Sequence, residues 1–154
     1  TPALYNQRRH PPTYNYPTRD SIESRLFQKY INNPKIGICR GGQFLNVMNG
    51  GSMWQDVNGH TKDHLLRDIK TGYQHKVTST HHQMIHPHSS GQVIAIANES
   101  TKKCDDKGCI DSIPWTDIEV VWYKGTQSLC FQPHPEYNLD SCRRYFFETI
   151  NKVF

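Results

Sequence analysis

The chain has 154 residues, a formal net charge of +4 and a hydrophobic share of 35%. That length fits one domain, no run approaches the ~20 apolar residues of a membrane-spanning helix, and the basic clusters (Arg8-Arg9-His10 beside Pro11-Pro12, and Arg143-Arg144) are too sparse and too little interleaved with aromatics to mark a nucleic-acid surface. The hydrophobic share is low for a free-standing α/β domain and fits a sheet that is incomplete within these residues. Five cysteines, Cys39, Cys104, Cys109, Cys130 and Cys142, make an odd count. With one of them a nucleophile, that count points to a reducing compartment, and the reading is cytoplasmic.

Residues 1–17 are rich in Pro, Tyr, Asn and Arg and read as an extended loop. From Asp20, Ile22, Leu26, Phe27, Tyr30 and Ile31 recur at helical spacing until Asn32-Asn33-Pro34 stops them. Lys35-Ile36-Gly37-Ile38 reads as a short buried strand. Phe44, Leu45, Val47 and Met48 return to helical spacing, and Asn49-Gly50-Gly51 ends that helix. Residues 52–74 are polar and read as irregular chain wrapping over the site, with turns at Asn58-Gly59 and Thr71-Gly72. Val77 to Thr80 and Gln92 to Asn98 read as strands, with a polar excursion over 99–113 after them. Ile118 to Tyr123, the turn Lys124-Gly125 and Ser128 to Gln132 form a hairpin. Asp140 or Ser141 caps a last helix bearing Tyr145, Phe146, Ile150 and Val153.

The chemistry concentrates at two places. Cys39 stands between the strand ending at Ile38 and the following helix, with glycines at 37, 41 and 42. A turn that sharp excludes bulky neighbours and lifts the side chain out at the end of the strand, as in a nucleophile elbow. Beside a helix N-terminus, unpaired N–H groups and the helix dipole favour thiolate and are placed to hold an oxyanion. Far downstream, His134 sits between Pro133 and Pro135, and Glu136 follows two residues on. On extended chain, residues two apart point the same way, so a carboxylate there buttresses an imidazole facing the cysteine. A buried structural cysteine is the competing reading of the first motif alone. His81, His82, His86, His88 and Cys104-x4-Cys109 invite a metal reading. Asp105-Asp106-Lys107-Gly108 reads instead as a turn tip, and no metal site or cofactor is assigned.

Gly-x-Cys-x-Gly-x-Gln followed by His-Pro-Glu resembles the class I (triad) glutamine amidotransferases, and within them the γ-glutamyl hydrolase-like branch, peptidase family C26. Asn46, Val47, Gly50, Gly51, Gln55 and Asp56 continue the pattern, as do Ser79-Thr80-His81-His82-Gln83, Pro2-Ala3-Leu4-Tyr5 and Arg19-Asp20. The resemblance covers nearly the whole chain. It implies a three-layer α/β/α, flavodoxin-like fold with a mostly parallel central sheet plus a β-hairpin, in one domain spanning 1–154. It implies Cys39 as nucleophile, His134 as general base and acid, Glu136 as orienter and the Arg40 backbone N–H as oxyanion donor. Gln43, Thr80 and His81 are implied to hold the glutamate-like end of the substrate.

In the family the elbow strand follows two strand-plus-helix units and a Gly-Gly loop that supplies part of the oxyanion hole. The reading is therefore of a C-terminal portion lacking the N-terminal strands, which a preceding segment or a partner chain supplies. The implied reaction is hydrolysis of glutamine, or of a γ-glutamyl amide, through a cysteine thioester, either alone or beside an ammonia-accepting synthetase or amidoligase. A non-catalytic structural or assembly subunit that keeps the fold is the alternative.

Overall fold

The computed structural model describes residues 1–154. Its centre is a six-stranded sheet with helices on both faces. Strand β1 (Lys35–Ile38) lies at one edge, followed in space by β11 (Ser128–Phe131), β10 (Asp117–Tyr123), β7 (Gln92–Ala97), β4 (His64–Asp68) and β5 (Gln74–Val77). Two short ladders flank it: β2 (Ser52–Trp54) with β6 (Met84–His86), and β3 (Asp56–Val57) with β8 (Lys102–Asp105) and β9 (Gly108–Asp111).

Period-two burial gives the sheet two apolar faces. Val120, Trp122, Leu129 and Phe131 pack with Leu66, Val77 and Ala95 against Cys142, Tyr145 and Phe146 of helix α3 (Asp140–Val153). The intervening residues Val121, Tyr123 and Cys130 face the other way. They meet Leu45 of α2 (Arg40–Met48) and Phe27 of α1 (Pro17–Lys29), with Ile85. Strands β10 and β11 are thus buried on both sides, which is why they read as largely apolar from Val120 onward.

Several expectations are corrected. The sheet is not mostly parallel in these residues: only β1 and β11 pair in parallel, and β11–β10, β10–β7, β7–β4 and β4–β5 are antiparallel. Residues 52–74 are not irregular throughout, since β4 is an inner strand. Its inward residues are His64, Leu66 and Asp68, and two polar groups in three hide the alternation from a hydropathy reading. The strand expected at Val77–Thr80 runs earlier, over Gln74–Val77. Residues 1–17 include a short 3₁₀ turn over Pro2–Tyr5, and α1 begins at Pro17, whose fixed φ suits the first helical position. Leu139 holds the N-cap position of α3 and makes no side-chain cap, while Asp140 lies in the first turn. The polar excursion folds as the β8–β9 hairpin, closed by a Cys104–Cys109 disulfide. The reading of the cysteine count as all-reduced does not extend to that pair.

Two contacts set the geometry of the site edge. A Cβ on Gly37 would lie 2.3 Å from the Gly41 carbonyl, and one on Gly42 would lie 2.9 Å from the Phe131 nitrogen. Helix α2 therefore approaches β1 and β11 at backbone distance, and only glycine fits there. Gly41 has open space around it. Gly37→Ala and Gly42→Ala are each expected to cost about 1–3 kcal/mol through overpacking. Gly41→Ala, inside a helix, is expected to be neutral or to add about 0.5–1 kcal/mol. Chemical denaturation of the three variants checks the ranking.

At the far side of the sheet, Asp68 is 2% exposed and accepts hydrogen bonds from the Thr71 backbone and hydroxyl, the Tyr145 hydroxyl and the Lys152 ammonium. Burial pushes its pKa up, but the Thr71 and Lys152 donors outweigh burial and hold it below 3.8. A depressed folded-state pKa stabilises the fold above the unfolded value and loses that contribution as pH falls through the folded one. Asp68→Asn is expected to cost about 1–3 kcal/mol at neutral pH. Below about pH 3.8 the gap to wild type should narrow, which thermal melts across pH will show.

Candidate active site

The site is built where β1 and β11 end side by side. Ile38 is in register with Phe131, and the Cys39 N–H donates to the Phe131 carbonyl at 2.8 Å. Chain following the two parallel strands carries Cys39 and His134 to the same edge of the sheet. Cys39 adopts φ 48°, ψ −112°, in the left-handed half of backbone space that a non-glycine residue rarely occupies. The turn is held by the Cys39–Phe131 bond and by the Gln43 N–H donating to the Cys39 carbonyl at 3.0 Å.

His134 is fixed independently. Its N–H reaches the Thr78 carbonyl at 3.4 Å, and the Thr78 hydroxyl donates to the His134 carbonyl at 2.6 Å. Its ring stacks on Tyr137 with centroids 4.7 Å apart. Nδ1 lies 2.7 Å from Glu136 Oε1, so Nδ1–H donates to the carboxylate and Nε2 is left as the basic nitrogen. Nε2 is buried and makes no hydrogen bond, including none to the Cys39 sulfur.

The expected thiolate-favouring environment is corrected. Burial pushes the Cys39 thiol above its ordinary value of 9.0; the Arg40 N–H at the sulfur opposes this, and the charges of Glu119 and Glu136 add to it. The helix terminus is present, but desolvation outweighs it. The surroundings of Cys39 thus favour thiol over thiolate.

A cavity of about 260 Å³ opens in front of the sulfur, lined in part by Cys39, Arg40, Gln43, Thr80, His81 and Gln83. The three residues expected to hold substrate therefore line the same cavity as the cysteine. The Gln43 amide nitrogen is committed to the Gln83 carbonyl at 3.0 Å and to Gln132 Oε1 at 3.1 Å, which fixes the direction of its oxygen. The His81 ring is turned away, with Nδ1 donating to the Gln83 carbonyl at 2.9 Å, so the cavity sees the His81 backbone.

Another part of the cavity lining was not legible in the sequence. Tyr5, Thr13, Tyr14 and Tyr16 come from the segment expected to be loop. Gln55, fully buried, anchors that segment: its oxygen accepts from the His10 N–H, and its amide donates to the Arg8 carbonyl and Gln7 Oε1. The Arg40 side chain adds a second tie, pairing with Asp20 at 2.8 Å and Glu23 at 2.7 Å on α1. His81 also belongs to a buried cluster with His60, His64 and Glu119, none of which the sequence singled out. One sign of it was present in the sequence: a glutamate inside the apolar run Ile118–Tyr123 needs a partner.

The peptidase C26 family model matches residues 1–136. The chain belongs to the peptidase C26 family. A Mycobacterium tuberculosis (strain ATCC 25618 / H37Rv) protein, provisionally named a glutamine amidotransferase, is 30% identical over 94% of this chain and 49% of its own length. The chain thus spans about half the length of that relative. Among solved structures, a glutamine amidotransferase of Thermotoga maritima superposes with TM-score 0.59 at 14% identity, over 92% of this chain and 60% of that one. A Thermoplasma acidophilum protein, provisionally named as one of the subunits of GMP synthase, gives TM-score 0.59 at 16% identity over 79% of this chain and 56% of its own. These likenesses establish that this family member shares the flavodoxin-like α/β fold of the glutamine amidotransferases. No helix is long and apolar enough to cross a membrane.

Accessibility and bonding separate the five cysteines. Cys130 and Cys142 are fully buried, Cys104 and Cys109 are oxidised, and Cys39 alone faces the cavity. A diazo-ketone analogue of glutamine is expected to label Cys39 and no other cysteine, which peptide mapping will show. Because burial raises the thiol pKa, labelling by a simple alkylating agent should be slow at neutral pH and keep climbing as pH rises past 9.0.

Proposed function

We propose that this chain carries the catalytic cysteine of a hydrolase acting on the γ-carboxamide of glutamine or on a γ-glutamyl amide. The observation that carries the reading is the strained Cys39 elbow, with the Arg40 N–H at its sulfur and the His134–Glu136 pair delivered from the neighbouring parallel strand.

In this reading the Cys39 sulfur attacks the amide carbon while His134 Nε2 takes its proton. The tetrahedral oxygen is held by the Arg40 N–H. The C–N bond breaks, His134 returns the proton to the leaving ammonia or amine, and a γ-glutamyl thioester remains. His134 then activates water, which releases glutamate and restores the thiol. Glu136 holds the imidazole in the tautomer with Nε2 free and stabilises the imidazolium. Cys39 being buried as a thiol suits this order of events, because sulfur and imidazole become charged only when substrate is present.

The cavity fits a small amino-acid-sized group, with Gln43, the exposed Thr80 and the His81 backbone as its polar contacts. One backbone oxyanion donor is supplied here, and losing one of a pair costs about 10²–10³ in rate. The family resemblance assigns the second to a Gly-Gly loop ahead of the elbow strand. The name borne by one fold relative, that of a synthase component, supports a partner that consumes the ammonia, of synthetase or amidoligase class; a stand-alone hydrolase passes it to water.

The test is release of ammonia from glutamine and of amine from γ-glutamyl amides by the full protein, with and without its co-purifying partners. Cys39→Ala is expected to abolish turnover, and Cys39→Ser to lose at least about 10³-fold. Glu136→Gln should lose less, since that carboxylate is 52% exposed. Wild-type protein that turns over neither substrate class in either setting would make the non-catalytic assembly role the correct reading.

A further inference from the structure

Two acids two residues apart on β10 have opposite surroundings. Asp117 is fully supplied with donors: the Glu99 and Ser100 N–H groups at 2.8 and 2.7 Å, the Ser100 hydroxyl at 2.5 Å, the Lys103 ammonium at 2.9 Å and His60 Nε2 at 3.0 Å. Glu119 is 0% exposed, and neither carboxylate oxygen accepts a hydrogen bond. Three imidazole nitrogens surround it instead. His60 Nδ1 lies 3.0 Å and His64 Nε2 3.5 Å from Oε1, and His81 Nε2 lies 3.6 Å from Oε2. None of these nitrogens makes a hydrogen bond either, even at 3.0 Å.

The other nitrogen of each ring decides what these atoms are. His60 Nε2 meets the Asp117 carboxylate, His64 Nδ1 meets the Lys62 carbonyl at 3.2 Å, and His81 Nδ1 meets the Gln83 carbonyl at 2.9 Å. Each partner is an acceptor, so each of those nitrogens carries the proton. The three remaining nitrogens face a buried carboxylate, so a positive charge has to lie between them, either protons on the rings or a metal ion. All four side chains are at least 95% buried. In the absence of a cation, that arrangement is repulsive in a space without solvent. An imidazole tied by its far N–H to a carbonyl or carboxylate, with its near nitrogen on a cation, is the usual arrangement of a metal-ligating histidine.

The geometry points to a site for a divalent transition-metal ion of the zinc class, bound by His60 Nδ1, His64 Nε2 and Glu119 Oε1, with His81 Nε2 facing the other carboxylate oxygen from outside that three-donor group. The His60, His64 and Glu119 donor atoms all lie within 4.8 Å of one another. Ligands about 2.0–2.2 Å from a tetrahedral zinc are separated by roughly the observed 3.0–3.5 Å. The donor set of imidazoles and one carboxylate suits zinc and not the oxygen-preferring magnesium or calcium. The ion would lock the chain after β3 and strand β4 onto β10, whose Glu119 also faces His81 of the 79–83 segment in the cavity lining. It would serve as a structural clip. The cluster stands independently of the catalytic reading, since Cys39 is not a ligand.

The test is metal content of the purified protein, expressed without a histidine tag, by elemental mass spectrometry. About one zinc per chain is expected, or uptake of one on titrating metal-free protein with zinc. Cobalt substitution should give the visible bands of a tetrahedral nitrogen–oxygen site, and chelation should lower the melting temperature. Glu119→Gln and His64→Phe should lose the ion, while His82→Ala, an exposed neighbour outside the cluster, should keep it. The cobalt spectrum of the wild type decides the matter even if the cluster variants misfold. Protein that holds no zinc and takes up none would show that protons alone hold the cluster, and a sulfur-to-cobalt charge-transfer band would put the ion on a cysteine; either result overturns the proposal.

Discussion

The site depends on backbone packed against backbone, where α2 meets β1 and β11. Gly37 and Gly42 leave no room for a Cβ on either side of the elbow, and the Cys39 N–H is bonded to the strand next door. Because β1 and β11 run in parallel, chain leaving both strands emerges at one edge, which carries both a strained cysteine and a proline-bracketed histidine. A looser approach would let Cys39 relax toward ordinary helical φ and turn its sulfur from the cavity. The strain at φ 48° persists because the contacts around it leave no alternative.

A second layer of constraint is electrostatic. The apolar faces of β10 are interrupted by Asp117 and Glu119, each below 2% exposed. Burying a carboxylate is tolerable only when charge and hydrogen bonds offset the lost hydration. Asp117 meets this with Lys103 and main-chain N–H groups, which also pins the 99–101 turn and the disulfide-closed hairpin to the sheet. Glu119 gathers histidines from three separate segments, and one of them, His81, leads directly into the cavity wall. The shape of the cavity is therefore coupled to whatever cation balances Glu119.

The front of the cavity rests on hydrogen bonds more than on apolar packing. Gln55 spends its whole amide on the backbone and side chains of residues 7–10, and Arg40 bridges the elbow to α1 through Asp20 and Glu23. On α1, Phe27 alone among the expected apolar stripe is buried; Ile22, Leu26 and Tyr30 are 45–49% exposed. What holds α1 beside the site is thus Phe27 on one side and the Arg40 ion pairs on the other.

The sequence by itself determined the elements whose local pattern is self-contained. The elbow needs glycine for steric reasons that follow from chain geometry alone, and His-Pro-Glu sets its own rigidity and spacing. The β10–β11 hairpin reads as a largely apolar run from Val120 onward because it is covered on both faces. Together with the family motifs these made the fold, the edge that carries Cys39 and the candidate residues readable. Tertiary structure alone decided the rest, because it depends on groups distant in sequence meeting in space. Strand β4 owes its place to polar residues whose partners lie elsewhere, so its burial left no hydropathy trace. The thiol of Cys39 is set by net desolvation and by Glu119, eighty residues away, and not by the helix end visible locally. The histidines at 60, 64 and 81 acquire a common purpose only when the sheet folds around Glu119, since no spacing rule links them along the chain.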